Sequence, residues 1–167
     1  YKKIWIVACG TAYHAGLFGR ELFEKSLGIP VEVELASEFR YRDPIISKDD
    51  LGIIISQSGE TMDTIAAAEL LKENGCELLG IVNVVGSSLA RMSDHLMYLY
   101  VGPEIGVAST KAFTTQLIAL GALTLFMANF HKTINKEEID KSFKPPLTKL
   151  ITSFLRESGP IKLGFFL

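Results

Sequence analysis

Cysteine, histidine, tryptophan and clustered positive charge are all scarce in this sequence. Two cysteines, Cys9 and Cys76, stand far apart among 167 residues. That spacing offers neither a disulfide framework nor a cysteine-based metal site, and it suits a reducing, cytoplasmic compartment. His95 and His131 have no partners at metal-ligand spacing and read as surface or loop residues. Lysine and arginine never run beyond a pair, and the net charge is −2. Nothing electrostatic therefore calls for nucleic acid or an anionic membrane as partner. No uninterrupted apolar run reaches the ~18 residues of a membrane span. Tyr1 to Ala8 reads as a strand, not as a signal peptide with a charged start and a cleavage site. Gly10, Gly16 and Gly19 miss the Gly-x-Gly-x-x-Gly spacing, and no Gly-x-x-x-x-Gly-Lys-Ser/Thr loop occurs, which argues against a dinucleotide or a nucleoside triphosphate. Without that glycine fingerprint, Glu34 reads as a solvated edge-strand residue, not a ribose contact.

What is present is an ordinary globular composition, 48% hydrophobic and 22% charged, in a length that suits one domain. Ile4 to Ala8 and Leu51 to Ile55 are apolar runs, the mark of strands covered on both faces, and Leu78 to Val84 reads as a fourth strand. Val31 to Leu35 alternates apolar and acidic residues, which places it nearer an edge. Leu96 to Val101 reads as a fifth strand. Between the strands lie helical patterns: Ala15, Phe18 and Leu22 before a Gly28–Pro30 stop, then Ile65, Ala68 and Leu71 before Gly75. A long apolar helix is expected over about 111–130, with helical segments near 136–143 and 146–156. Strands alternating with helices predict an α/β fold of three layers, a flavodoxin-like, doubly wound sheet of five parallel strands with C-terminal helices. Such sheets bind ligands beyond the carboxyl ends of their strands, where the strand order reverses. The loops trailing the first and third strands are the natural candidates.

The third strand runs into Ser56-Gln57-Ser58-Gly59-Glu60-Thr61 at the start of a helix. Hydroxyls, an amide, free backbone N–H groups and the helix dipole favour an anion there, best a phosphate monoester. The plainer alternative is helix capping by Ser58 or Thr61. Cys9-Gly10-Thr11 opens the first helix and suits either the same ligand or a turn capped by Thr11. Cys9 itself reads as packing at a strand end rather than as a nucleophile paired with His14. In the segment 103–111, Gly106 with small neighbours suggests close backbone approach, and Ser109 or Thr110 suits the cap of the long helix; a plain loop and cap is equally consistent.

The sequence divides into 1–130, a helical linker at 131–160, and a truncated strand at 161–167. Lys162 to Leu167 echoes Lys3 to Ala8, as if a second copy of the domain began there.

Four segments, 9–15, 36–42, 56–61 and 104–114, occur in an order that resembles the first sugar isomerase (SIS) half of the glutamine–fructose-6-phosphate aminotransferase family. The resemblance implies that Ser56, Gln57, Ser58 and Thr61 hold a sugar phosphate, that Cys9, Gly10 and Thr11 border it, and that Val107, Ala108 and Ser109 line the sugar chain. Ala12 stands where the family commonly has serine, so no hydroxyl contact is expected from it. The ligand would be a hexose 6-phosphate, fructose 6-phosphate or glucosamine 6-phosphate. No metal or organic cofactor is implied, and this half would carry no catalytic residue and be inactive alone. A homodimer, a glutaminase domain and a second SIS half are the implied partners. The rival from another class is a non-catalytic SIS-type sugar-phosphate sensor.

Overall fold

The computed structural model of the chain describes residues 1–102 and 110–131. Five strands, β1 (Ile4–Ala8), β2 (Val31–Leu35), β3 (Leu51–Ser56), β4 (Glu77–Val82) and β5 (His95–Tyr98), form one sheet in the order β2-β1-β3-β4-β5. Every neighbouring pair is parallel. The helices are α1 (Thr11–Leu27), α2 (Ala36–Phe39), α3 (Met62–Glu73), α4 (Ser88–Met92) and α5 (Thr110–His131). The expected α/β class, strand direction and doubly wound order are all present. The segments near 136–143 and 146–156, and the strand echo at 162–167, lie outside the described residues.

Side chains alternate across a pleated strand, and each buried strand here feeds two cores. Ile4, Ile6, Ile53, Ile55, Leu79 and Ile81 pack with Ala15 and Phe23 of α1 and with Ala119, Leu120 and Leu123 of α5. Trp5, Val7, Ile54, Leu78 and Val82 face the other way, onto Phe39 of α2, Ala67, Ala68 and Leu71 of α3, and Leu89 of α4. Two-sided burial explains why these strands show continuous apolar runs. β2 is an edge, as its alternation predicts. Arg42 reaches back to Glu32 and Glu34 (3.3 and 2.8 Å), and Lys3 pairs Glu32 at 2.7 Å. These charges discourage another strand from adding to the edge. Glu34 is thus an ion-paired, mostly covered residue, not a solvated one. His95 is likewise a half-buried β5 residue rather than part of a loop.

α1 packs close enough that a Cβ on Gly16 would lie 2.9 Å from Ile6 Cγ2. α5 corrects one expectation. Thr110–Phe130 is long and apolar enough to cross a membrane by length and composition, with mean hydropathy 1.4. Its polar interruptions are uncharged apart from Lys111, so counting only unbroken apolar residues misses it. In the fold this helix lies on the sheet beside α1, supplying core residues.

At the amino end of β3, buried Asp50 accepts hydrogen bonds from Trp5 Nε1 at 3.0 Å and from the Ser47 N–H at 2.9 Å. Removing the carboxylate leaves two donors unpaired, each costing about 1–3 kcal/mol. Asp50→Ala is therefore expected to lower stability by about 2–4 kcal/mol, or roughly 5–12 °C in melting temperature for a domain of this size. Thermal unfolding followed by circular dichroism checks this.

Candidate functional site

β1 lies between β2 and β3, so the chain leaves it in one direction and returns on its other side. α1 follows β1 on one face and α3 follows β3 on the opposite face. The two helix starts flank the crevice at the carboxyl ends of these strands. A cavity of about 270 Å³ opens there, lined by Cys9, Gly10, Thr11, Ala12, Ile55, Ser56, Gln57, Ser58, Thr61, Thr64 and Gln116. Seven residues singled out in the sequence, Cys9, Gly10, Thr11, Ser56, Gln57, Ser58 and Thr61, thus come together. Val107, Ala108 and Ser109 lie outside the described residues.

The capping alternatives give way to a different local design. α1 starts at Thr11 with Gly10 as its N-cap, and no side chain caps it. Thr61 occupies the N-cap position of α3, yet its side chain also makes no capping hydrogen bond. The first N–H groups of a helix lack internal partners, so both helix starts keep donors at the cavity. Ser56 Oγ, buried, accepts the Gly59 N–H at 3.0 Å, and Ser58 Oγ accepts the Glu60 N–H at 3.2 Å. These bonds fold the loop back on itself and use the hydroxyl oxygens as acceptors, leaving each O–H to donate.

Gly59 sits at φ +68, and a Cβ there would come within 2.1 Å of Ser87 Oγ. Its carbonyl accepts the Leu89 N–H at 3.1 Å. Glu60 turns away from the cavity and accepts the Ser88 N–H at 2.8 Å. The Ser88 hydroxyl and N–H hold its carboxyl below the usual range, outweighing slight desolvation, with Arg91 assisting. A lowered carboxyl contributes above its ordinary pKa and loses that contribution as pH falls through the lowered value. Glu60 therefore ties the loop to α4, a role without a local sequence signal because Ser88 lies far along the chain.

Cys9 lines the cavity, and Thr64 Oγ1 donates to its sulfur at 3.7 Å. His14 is exposed on α1 with its ring against Tyr13, away from Cys9. Among the described residues no acid, histidine, lysine or arginine lines the cavity. The described lining can bind an anion through neutral donors, and Cys9 is the only titratable side chain among the described lining residues. No set of three or more potential metal ligands occurs among the described residues. Sequence reasoning missed Thr64, Ile55 and Gln116. Thr64 and Gln116 sit on buried helix faces, and nothing local distinguishes them from core positions.

A family model described as the SIS domain matches residues 1–126. The chain belongs to the SIS domain family. It is 57% identical over 140 residues to glutamine–fructose-6-phosphate aminotransferase (isomerizing) of Clostridium tetani, and 58% identical over 139 residues to that of Clostridium acetobutylicum. These matches cover 84% and 83% of the chain but 23% of each relative. The SIS chain thus spans about a quarter of the length of these curated relatives. Its fold matches a solved structure, the C-terminal domain of glucosamine-fructose-6-phosphate aminotransferase from Francisella tularensis, with TM-score 0.83 and 43% identity. That match covers 90% of this chain and 42% of the other.

Because Gly59 meets both a left-handed backbone and the Ser87 side chain, Gly59→Ala is expected to cost about 2–4 kcal/mol, part from φ and part from the clash. Adding Ser87→Gly removes only the clash and should recover about 1–3 kcal/mol. Urea unfolding of the single and double variants measures both parts.

Proposed function

We propose that this SIS domain is the sugar-phosphate-binding half of the isomerase module of a glutamine–fructose-6-phosphate aminotransferase, and that it holds the phosphate of fructose 6-phosphate or glucosamine 6-phosphate. The observation that carries the reading is the cavity at the β1/β3 crevice, where two helix starts and the Ser56–Thr61 loop gather uncharged donors. The names of the relatives support it over a sugar-phosphate sensor. The parent reaction would aminate fructose 6-phosphate with nitrogen from glutamine and isomerise the product to glucosamine 6-phosphate, with glutamate released. Neither step needs a metal or organic cofactor. The full protein would add a glutaminase domain and a second SIS half, and would act as a cytoplasmic homodimer.

Within that scheme this half supplies binding energy rather than chemistry. Aldose–ketose isomerisation needs a base within hydrogen-bond reach of the C1 or C2 proton. The described cavity lining offers no acid, and the two acids next to it in sequence, Glu60 and Asp63, are engaged by Ser88 and Arg40. Gripping the phosphate holds the far end of an open-chain sugar, so its carbonyl end is positioned for groups elsewhere. On this reading the 167-residue chain alone turns over nothing.

Ser56 and Ser58 also shape the loop through their bonds to Gly59 and Glu60, so Thr61, whose side chain makes no capping bond, is the cleanest probe and Ser58 is read beside it. A hydrogen bond to a charged group contributes about 1.5–3 kcal/mol. Ser58→Ala and Thr61→Val are therefore each expected to weaken fructose 6-phosphate binding roughly 10- to 150-fold. Titration calorimetry on the folded variants tests this, with unphosphorylated fructose as the control. Equal affinity for fructose and its phosphate would overturn the reading.

A further inference from the structure

Gln116 lies in the second turn of α5, on the same helix face as the core residues Ala119, Leu120 and Leu123, and is only 1% exposed. It nevertheless lines the cavity. Its Oε1 is buried and has no hydrogen-bond partner among the described residues. An unpaired buried amide oxygen costs stability that an apolar group in its place would not, and folded proteins keep few such groups. α5 shows the contrast within itself. Its other buried polar residue, Thr124, donates Oγ1 to the Leu120 carbonyl at 2.8 Å. The helix satisfies the polar group that faces only protein and leaves unpaired the one that lines the cavity.

The position of Gln116 points to what it would pair with. Thr61 precedes α3 and Thr64 lies in its first turn, on one face of the sheet; Gln116 comes from α5, on the α1 face. A phosphate dianion only accepts hydrogen bonds, and donors for it already cluster at the two helix starts and the Ser56–Thr61 loop. A carboxamide oxygen cannot pair with it. A hydroxyl both donates and accepts, so it pairs with either end of the amide, whichever way the amide is turned. Ala12, also lining the cavity from α1, offers no polar side chain.

Building on the phosphate-binding reading above, we propose that Gln116 is a specificity residue whose carboxamide hydrogen-bonds a hydroxyl of the sugar part of the ligand. It separates a polyhydroxylated phosphate ester from bare phosphate. It touches the ligand away from the phosphate and moves no proton.

The test compares fructose 6-phosphate with inorganic phosphate on the full 167-residue chain, as wild type, Gln116→Met and Gln116→Leu, by titration calorimetry together with unliganded melting. Loss of a neutral hydrogen bond lowers affinity roughly 5- to 10-fold. We expect that loss for fructose 6-phosphate in both variants, phosphate affinity held within about twofold, and melting temperatures equal to or above wild type. Variants that keep the full preference for the sugar phosphate overturn this inference alone. So do variants that lose both ligands equally, or that melt lower or fail to fold, because the amide would then be structural. A wild-type chain that binds phosphate but no better binds fructose 6-phosphate removes the sugar reading and this inference with it. Binding of neither probe overturns the phosphate site as well.

Discussion

The reversal of strand order at β1 is the constraint from which the rest of the site follows. A parallel sheet needs a crossover between neighbouring strands, and crossovers keep one hand. With β2 and β3 on opposite sides of β1, α1 and α3 must lie on opposite faces and start on either side of one crevice. Two sets of unpaired N–H groups then meet at one place without any side chain having been chosen for it. The Ser56–Thr61 loop completes that arrangement. Gly59 lets it turn, Ser56 pins the turn, and Glu60 fastens it to α4.

The absence of charge among the described cavity lining has a physical sense. A lysine or arginine would grip phosphate more tightly, but as a long side chain it would lose more rotamer freedom on doing so. Backbone N–H groups and short hydroxyls are already fixed by the fold. They lose little on binding, and they are directed at a position rather than at a charge in general. A site of this kind holds the ligand in one orientation, as a binding half must if the reacting carbons are handled by other groups.

Much of this was legible in the sequence because burial writes itself into strands. Ile4–Ala8 and the stretch from Leu51 to Ile55 are apolar on both faces since two helical layers cover them, and β2 alternates since its edge is charged. The donor-rich loop was visible as a cluster of short polar residues after such a strand. The short helices α2 and α4 were not, because four or five residues carry too little periodicity to register. Glu60 as a tether, Asp50 as a clamp on Trp5 and Gln116 as a cavity residue each depend on a partner or a cavity far away in sequence. The segment at 36–42, distinctive as a string, works mainly as bracing: Phe39 packs on Trp5 with ring centroids 5.5 Å apart, and Arg40 pairs Asp63 in the first turn of α3 at 2.9 Å. It steadies the helix whose start faces the cavity rather than entering the cavity itself.

The central claim is that a sugar phosphate seats its phosphate between the starts of α1 and α3. Backbone amide shifts in a nitrogen-labelled chain, followed by NMR as fructose 6-phosphate is added, report on it most directly. The account predicts that the largest saturable shifts fall within residues 9–12 and 56–61, that inorganic phosphate moves the same amides, and that fructose moves none of them. Saturable shifts centred elsewhere on the sheet, or equal shifts from fructose, would contradict it.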